Sequence, residues 1–107
     1  EDFCQMIART VELIGVDHVG FGSDLCQDQP NSVVEWMRNG RWTKQMDYGE
    51  GSASNAAWPD ALSWFETSVD FPNIVVGLRD KGFNELEIEK IMGRNWLDFC
   101  AAGFGPN

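Results

Sequence analysis

One glycine-rich run constrains the fold of this 107-residue sequence more than any other part, namely His18-Val19-Gly20-Phe21-Gly22-Ser23-Asp24. The run is too short and too rich in glycine for a helix, whereas the spacing of its bulky residues is typical of a buried strand. It would be the only strand among about five or six helices, and a lone strand leaves its backbone donors and acceptors without ladder partners. Either the strand does not form or its neighbours lie in sequence outside this chain.

Helical spacing of apolar residues predicts the remaining elements. The first helix runs from near Phe3 to Gly15, where a glycine would cap it. Later helices are expected to start where a capping residue or a first-turn proline precedes apolar residues. Four such starts are Ser32, Pro59, Pro72 and Asn84. The helix from Ser32, which pairs with Glu35, ends at Gly40, the brief helix from Pro59 runs through Trp64 and Phe65, and the helix from Pro72 ends at Gly82. Asn84 pairs with Glu87, and Gly93 separates the helix that follows from a last one. The aperiodic segment Arg41–Trp58 is predicted to be a long aromatic loop, serving either as a core plug or as a pocket wall.

Composition excludes some classes of partner. Seventeen acidic and eight basic side chains give a formal charge of -9, which repels nucleic acid and anionic membrane surfaces. No apolar run approaches the roughly 20 residues that span a bilayer. The three cysteines are odd in number and far apart, which favours reduced thiols in the cytoplasm over a disulfide framework. The chain opens without Met in a helical pattern, so we expect further sequence upstream.

Asp24 is the leading candidate for chemistry. Alternation along a strand would place His18, Gly20, Gly22 and Asp24 on one face, with Asp24 at the carboxyl end, where parallel α/β sheets and barrels carry their sites. The alternative is that Asp24 accepts backbone N–H groups in the following loop, as aspartate often does at turns. Spacing alone favours this structural interpretation.

Two other reactive side chains lie near Asp24. His18 is the only histidine, but six strand residues of roughly 3.3 Å each separate it from Asp24 by about 20 Å, which excludes a shared metal. A structural role is the better interpretation. Cys26 could be a thiolate nucleophile or a metal ligand, yet no second histidine exists to activate it, which favours a buried, inert thiol. The acidic residues Asp80, Glu85, Glu87 and Glu89 are expected to form a solvated helix face.

A series of motifs runs through the chain in the order Val16 to Asp24, Phe71-Pro72-Asn73-Ile74, Leu78, Gly82-Phe83, Glu87, Ile91-Met92-Gly93 and Asn95-Trp96-Leu97. Taken in this order, the motifs resemble the carboxyl-terminal part of the membrane dipeptidase (renal dipeptidase) family over nearly the whole chain. The resemblance implies an α/β fold in which residues 1–107 form a single segment at the C-terminal end of a (β/α)8 TIM barrel of the amidohydrolase kind. Residues 17–24 would be its last strand, and the remainder of the barrel would supply the missing sheet neighbours.

The resemblance also implies a function. Family members hydrolyse dipeptides with two zinc ions that activate a bridging water. Asp24 matches the aspartate that contacts the substrate's amino group and helps to move protons, so it is predicted to be both the catalytic and the substrate-binding residue. The family's metal ligands lie upstream of the matching region, and His18 matches none of them, so no metal ligand is assigned within this chain.

Two departures and one alternative complete the prediction. Relatives have Asp-Phe-Asp-Gly where this chain has Asp24-Leu25-Cys26-Gln27, and the segment Gln29–Thr67 is longer than in the animal enzymes. A different substrate pocket is therefore expected, and homo-oligomer formation is left open. The alternatives are a non-catalytic helical module that binds a protein partner through exposed tryptophans, and a non-catalytic relative of the family.

Overall fold

The structure is a computed structural model that describes residues 2–38, 58 and 61–105. It divides into two compact units. Unit 1 comprises Glu1–Asp24 and Ser68–Asn107, and unit 2 comprises Leu25–Thr67. The predicted aromatic loop, apart from Trp58, lies outside the described residues, as do the predicted helix boundaries Gly40 and Pro59.

Helix α1 spans Phe3–Ile14, as the apolar spacing predicts. The carboxylate of Asp2 accepts a hydrogen bond from the backbone N–H of Cys4 at 2.9 Å and caps the helix start. At the other end Gly15 has φ 85°, a conformation that glycine adopts readily, and its N–H donates to the carbonyl of Val11 at 2.8 Å. The predicted helix and its glycine stop are confirmed.

The predicted barrel strand is wrong. Val16–His18 form a 3₁₀ turn, and residues 19–26 have no regular secondary structure. None of the residues that the structure describes belongs to a strand, because no second extended segment is present to complete a hydrogen-bonded ladder. The described part of the chain is therefore helical, and the predicted α/β fold with a (β/α)8 barrel strand at residues 17–24 is wrong.

The second half of unit 1 is a run of helices. A 3₁₀ turn at Ser68–Asp70 leads into α3, Phe71–Asp80, which carries Pro72 in its first turn and is followed by Gly82 at φ 90°. Helix α4 spans Glu85–Glu89, and a π-helical turn, Lys90–Arg94, joins it to α5, Asn95–Phe104. Gly93 interrupts the helical dihedral angles within that turn. The predicted break at Gly93 is confirmed.

The start of α4 confirms a predicted cap in detail. The side chain of Asn84 accepts from the backbone N–H of Glu87 at 3.0 Å, and the Glu87 carboxylate accepts from the backbone N–H of Asn84 at 2.9 Å. This reciprocal pair satisfies two N–H groups that a helix start leaves unpaired.

The core of unit 1 joins its first segment to α3 and α4. Its buried apolar side chains are Cys4, Ile7, Val19, Ile74, Leu78, Ile88 and Ile91. Phe21 packs edge-on against Phe3 of α1, with ring centroids 5.6 Å apart, and stacks on Phe71 of α3 at 6.2 Å. The bulky residues of the glycine-rich run are thus packed against helices, although the run is not a strand.

In unit 2, helix α2 spans Asn31–Arg38, so Ser32 lies inside the helix rather than capping it. The indole N–H of Trp58 donates to the carbonyls of Gln29 and Pro30 at 3.0 and 3.3 Å. Leu62 and Phe65 form an isolated antiparallel bridge across a turn, so the predicted helix through Phe65 is wrong over its described residues, 61–65. Among the described residues, no helix has the length and apolar character needed to cross a bilayer.

Candidate functional site

Asp24 is the last residue of the first segment of unit 1 and is exposed. Its φ of 49° lies in the left-handed region. Residues other than glycine adopt this backbone conformation at a cost of about 1 kcal/mol, and among them aspartate and asparagine tolerate it best. Asp28 shares this conformation, with φ 57°. Backbone strain of this kind occurs both in tight turns and at functional sites.

The structural alternative for Asp24 finds no support in the described segments. No residue within 2–38 or 61–105 donates a hydrogen bond to the Asp24 carboxylate. The expected turn, in which this side chain would accept backbone N–H groups, is therefore not formed there. The carboxylate is open to a ligand that carries hydrogen-bond donors.

His18 and Cys26 occupy positions that differ from the strand prediction. His18 lies in the 3₁₀ turn and is exposed, and Cys26 is also exposed, so the expected burial of its thiol is wrong. All three cysteines are free thiols. Across the described segments, no group of three or more histidine, cysteine, aspartate or glutamate side chains could hold a metal ion. These residues do not fit zinc, and we derive no chemistry through a metal from them.

The first and last motifs of the resemblance, Val16 to Asp24 and Asn95-Trp96-Leu97, are packed together in unit 1. The side-chain amide of Asn95 donates to the carbonyl of Val16 at 2.7 Å and to that of Val19 at 2.8 Å. These are backbone acceptors that a neighbouring strand would otherwise satisfy. Lys90 forms an ion pair with Asp17 beside them. A Cβ added to Gly20 would lie 2.6 Å from the indole nitrogen of Trp96, so only glycine permits this close approach.

A cleft of about 300 Å³ lies where these motifs meet. Its lining consists of Asp17, His18, Val19, Gly20, Asn95, Trp96 and Phe99. The sequence analysis did not predict it, because its walls come from two segments more than 70 residues apart. Of the two glycines in the run, Gly20 is approached closely by Trp96, whereas an added Cβ at Gly22 would meet nothing within 4 Å.

The Asp17–Lys90 pair gives a testable electrostatic effect. The hydrogen bond and positive charge of Lys90 lower the pKa of Asp17 below its ordinary value. Lys90→Gln should raise the pKa of Asp17 towards that value, as followed by NMR titration of the side-chain carboxyl carbon. A lowered folded-state pKa stabilises the fold above the unfolded-state pKa. In the wild type this contribution disappears as the pH falls through the folded-state pKa.

Lys81→Gln is the matched control for this experiment. Lys81 pairs with Asp2, whose pKa it lowers, and it does not act on Asp17. The Lys81 variant should therefore raise the pKa of Asp2 and leave that of Asp17 unchanged. An Asp17 pKa that does not move in Lys90→Gln, or that moves equally in both variants, would contradict the pairing.

Comparison with known proteins adds no support to the resemblance to membrane dipeptidases. The chain matches no family model, no curated protein and no solved structure. Membership of the membrane dipeptidase family therefore remains a prediction that depends on the residues of the two motifs and on the segments between them.

Proposed function

We propose that this chain is the substrate-binding part of a metallopeptidase that hydrolyses dipeptides. In this proposal Asp24 accepts hydrogen bonds from the ammonium group of the substrate and assists proton transfer during hydrolysis. The two zinc ions that the resemblance implies would be held by residues outside these 107, so the chain alone is not expected to be active. The role given to the described residues is binding and orientation.

The observation that carries the proposal is the accessibility of Asp24. Its carboxylate is exposed and accepts no hydrogen bond from the described segments, so a ligand ammonium group could approach it without displacing an internal partner. Hydrogen bonds between ionised donors and acceptors are about twice as strong as neutral ones, which suits a carboxylate for the recognition of a free amino terminus.

The packing of the two motifs supports the same proposal. Asn95 fixes the backbone at Val16 and Val19 at the start of the segment that ends in Asp24. A carboxylate that positions a substrate must be held by a rigid support, since small displacements of a binding group lower the rate substantially. The first and last motifs of the resemblance are thus in contact, through Asn95 and Trp96.

The test is the substitution Asp24→Asn in the natural protein that carries this sequence. The change preserves size and removes the charge. We expect kcat/KM for dipeptides to fall by about 100-fold or more, the usual contribution of a group that moves a proton, while zinc content by metal analysis stays unchanged. Asparagine tolerates the left-handed conformation of residue 24 at least as well as aspartate, so the fold should be retained.

Asp28→Asn is the matched control. Asp28 is also an exposed aspartate at positive φ and lies only four residues further along the chain. Its substitution should leave kcat/KM within about twofold of wild type, because no substrate contact is assigned to it. Unchanged turnover in Asp24→Asn, or equal losses in both variants, would exclude the assigned role.

A second candidate function rests on exposed aromatic surface. Trp96 is 51% exposed and Trp64 is 37% exposed, and helix α5 contributes no buried residue to the described structure. Such surfaces mark protein-binding sites in many domains. A helical binding module would be monodisperse and would melt cooperatively without metal, measured by light scattering and circular dichroism. Aggregation of the purified chain would argue against this candidate.

We also place the protein in the cytoplasm as part of the proposal. The supporting observation is that all three cysteines are free, which suits a reducing compartment. Fractionation of cells that express the natural protein would test this placement, and recovery from the secreted fraction would contradict it.

A further inference from the structure

We propose that the cleft between the 3₁₀ turn and α5 in unit 1 binds a small organic cation of the quaternary ammonium class. Trp96 and Phe99 provide the aromatic part of its lining. Their ring centroids are 6.1 Å apart and their planes are at 87° in a T-shaped contact, which we call the aromatic corner. Quaternary ammonium groups are recognised by the faces of aromatic rings, as in aromatic cages.

Both rings are open to a ligand. Trp96 is 51% exposed and Phe99 is 66% exposed. A cation held within about 6 Å of an aromatic ring centroid is attracted by the negative face of the ring, and the attraction is strongest for tryptophan. The cleft volume of about 300 Å³ is at the lower end of the range for ligand sites, which limits the occupant to a small molecule.

The polar groups of the cleft favour a cation over an anion. The side-chain N–H groups of Asn95 already donate to the carbonyls of Val16 and Val19, so they are not available to a ligand that carries acceptors. Asp17 contributes a carboxylate whose side chain is 65% exposed and which bonds Lys90 through one oxygen, Oδ1. A quaternary ammonium group needs a negative field and aromatic faces, but it does not need hydrogen-bond acceptors in a fixed geometry.

The charge of the surrounding unit favours the same ligand class. Residues 2–24 and 68–105 contain ten acidic and five basic side chains. Lys90 offsets part of the charge of Asp17, and five acidic side chains of the unit remain in excess over the basic ones. An anionic ligand would therefore meet net negative charge, whereas a cation is attracted over the whole unit.

The site is distinct from the one proposed for Asp24, which is not part of the cleft lining. It also depends on Gly20, because a side chain there would collide with the indole of Trp96 and displace one wall. The inference therefore depends on the aromatic corner, Asp17 and Gly20, and not on the peptidase proposal.

The test is a comparison of choline with its neutral isostere 3,3-dimethylbutan-1-ol, which has the same shape without the charge. Each is titrated into the full chain while the indole N–H resonance of Trp96 is followed by NMR, assigned by its loss in Trp96→Phe. We expect choline to shift this resonance and to bind about fivefold or more tightly than the alcohol. Equal binding of the two ligands would show an apolar groove and would overturn the proposal, as would the absence of a choline-induced shift.

Two variants test the residues directly. Trp96→Leu keeps apolar bulk but removes the aromatic face, and it should weaken choline binding by about fivefold or more, measured by calorimetry on folded protein. Trp64→Phe is the control, since Trp64 belongs to unit 2 and not to the cleft, and it should leave the affinity unchanged. Equal effects of the two variants, or an unchanged affinity in Trp96→Leu, would also overturn the proposal.

Discussion

Leu78→Ala is expected to lower the free energy of unfolding by about 2–5 kcal/mol, the usual cost of removing a fully buried leucine side chain. Leu78 is 0% exposed in the middle of the unit 1 core, on helix α3. The loss combines the transfer of apolar atoms to water with a cavity that packed neighbours cannot fill. Urea unfolding followed by circular dichroism measures the effect as a lower midpoint with an unchanged slope.

Leu13→Ala makes the same chemical change on an exposed helix surface. Leu13 is 84% exposed in the last turn of α1, so its substitution should change stability by no more than about 0.5 kcal/mol. Similar losses in the two variants would show that the core is not organised around Leu78.

Gly77→Ala should destabilise the protein by up to about 2 kcal/mol, although alanine is the better helix former. A Cβ at residue 77 of α3 would lie 2.5 Å from the sulfur of Cys4 in α1, and Cys4 is buried at this helix contact. Overpacking of this kind costs about 1–3 kcal/mol, and the helix preference returns roughly 1 kcal/mol of it. Thermal and urea unfolding should therefore show a net loss.

Gly103→Ala is the matched control, with the opposite sign. Gly103 lies inside helix α5, and an added Cβ there would meet nothing within 4 Å. Only the helix preference then operates, and we expect stability to increase by about 0.5–1 kcal/mol. Replacing Cys4 by alanine should reduce the cost of Gly77→Ala, because it removes the colliding sulfur; strict additivity of the two changes would contradict the proposed contact.

The elements that the sequence predicted correctly are those determined by local interactions. The glycine stop at Gly15, the first-turn proline at Pro72 and the reciprocal cap of Asn84 and Glu87 each involve residues within one turn of each other. Capping needs only neighbouring groups in the chain, so its residues identify helix ends directly. The failure at Ser32 is a two-residue error of the same local kind, since the helix begins at Asn31 rather than Val33.

The strand prediction failed because strand formation depends on a distant partner. Val19 and Phe21 have the bulk and spacing of strand residues, but a ladder needs a second extended segment, and the described residues provide none. Their apolar side chains are packed against helices instead, and a side-chain amide takes the place of a neighbouring strand at two carbonyls.

The candidate sites differ in how far the sequence could identify them. Asp24 could be singled out from its position at the end of the glycine-rich run, although its left-handed backbone could not be foreseen from a strand pattern. The cleft could not be predicted from spacing, since the contacts of Asn95 with the first segment span 79 and 76 residues. One sequence feature did indicate the cleft, namely Gly20, because a glycine between apolar residues commonly marks a close approach by another group.

The Asn95 contacts have a consequence for how unit 1 opens. Helix α5 contributes no buried side chain, so its attachment to the first segment depends on the Asn95 amide and on the approach of Trp96 to Gly20. A segment held by few buried contacts has a low free energy of local opening. Amide protons of α5 should therefore exchange with solvent by detachment of this helix, well before the core between α1 and α3 unfolds.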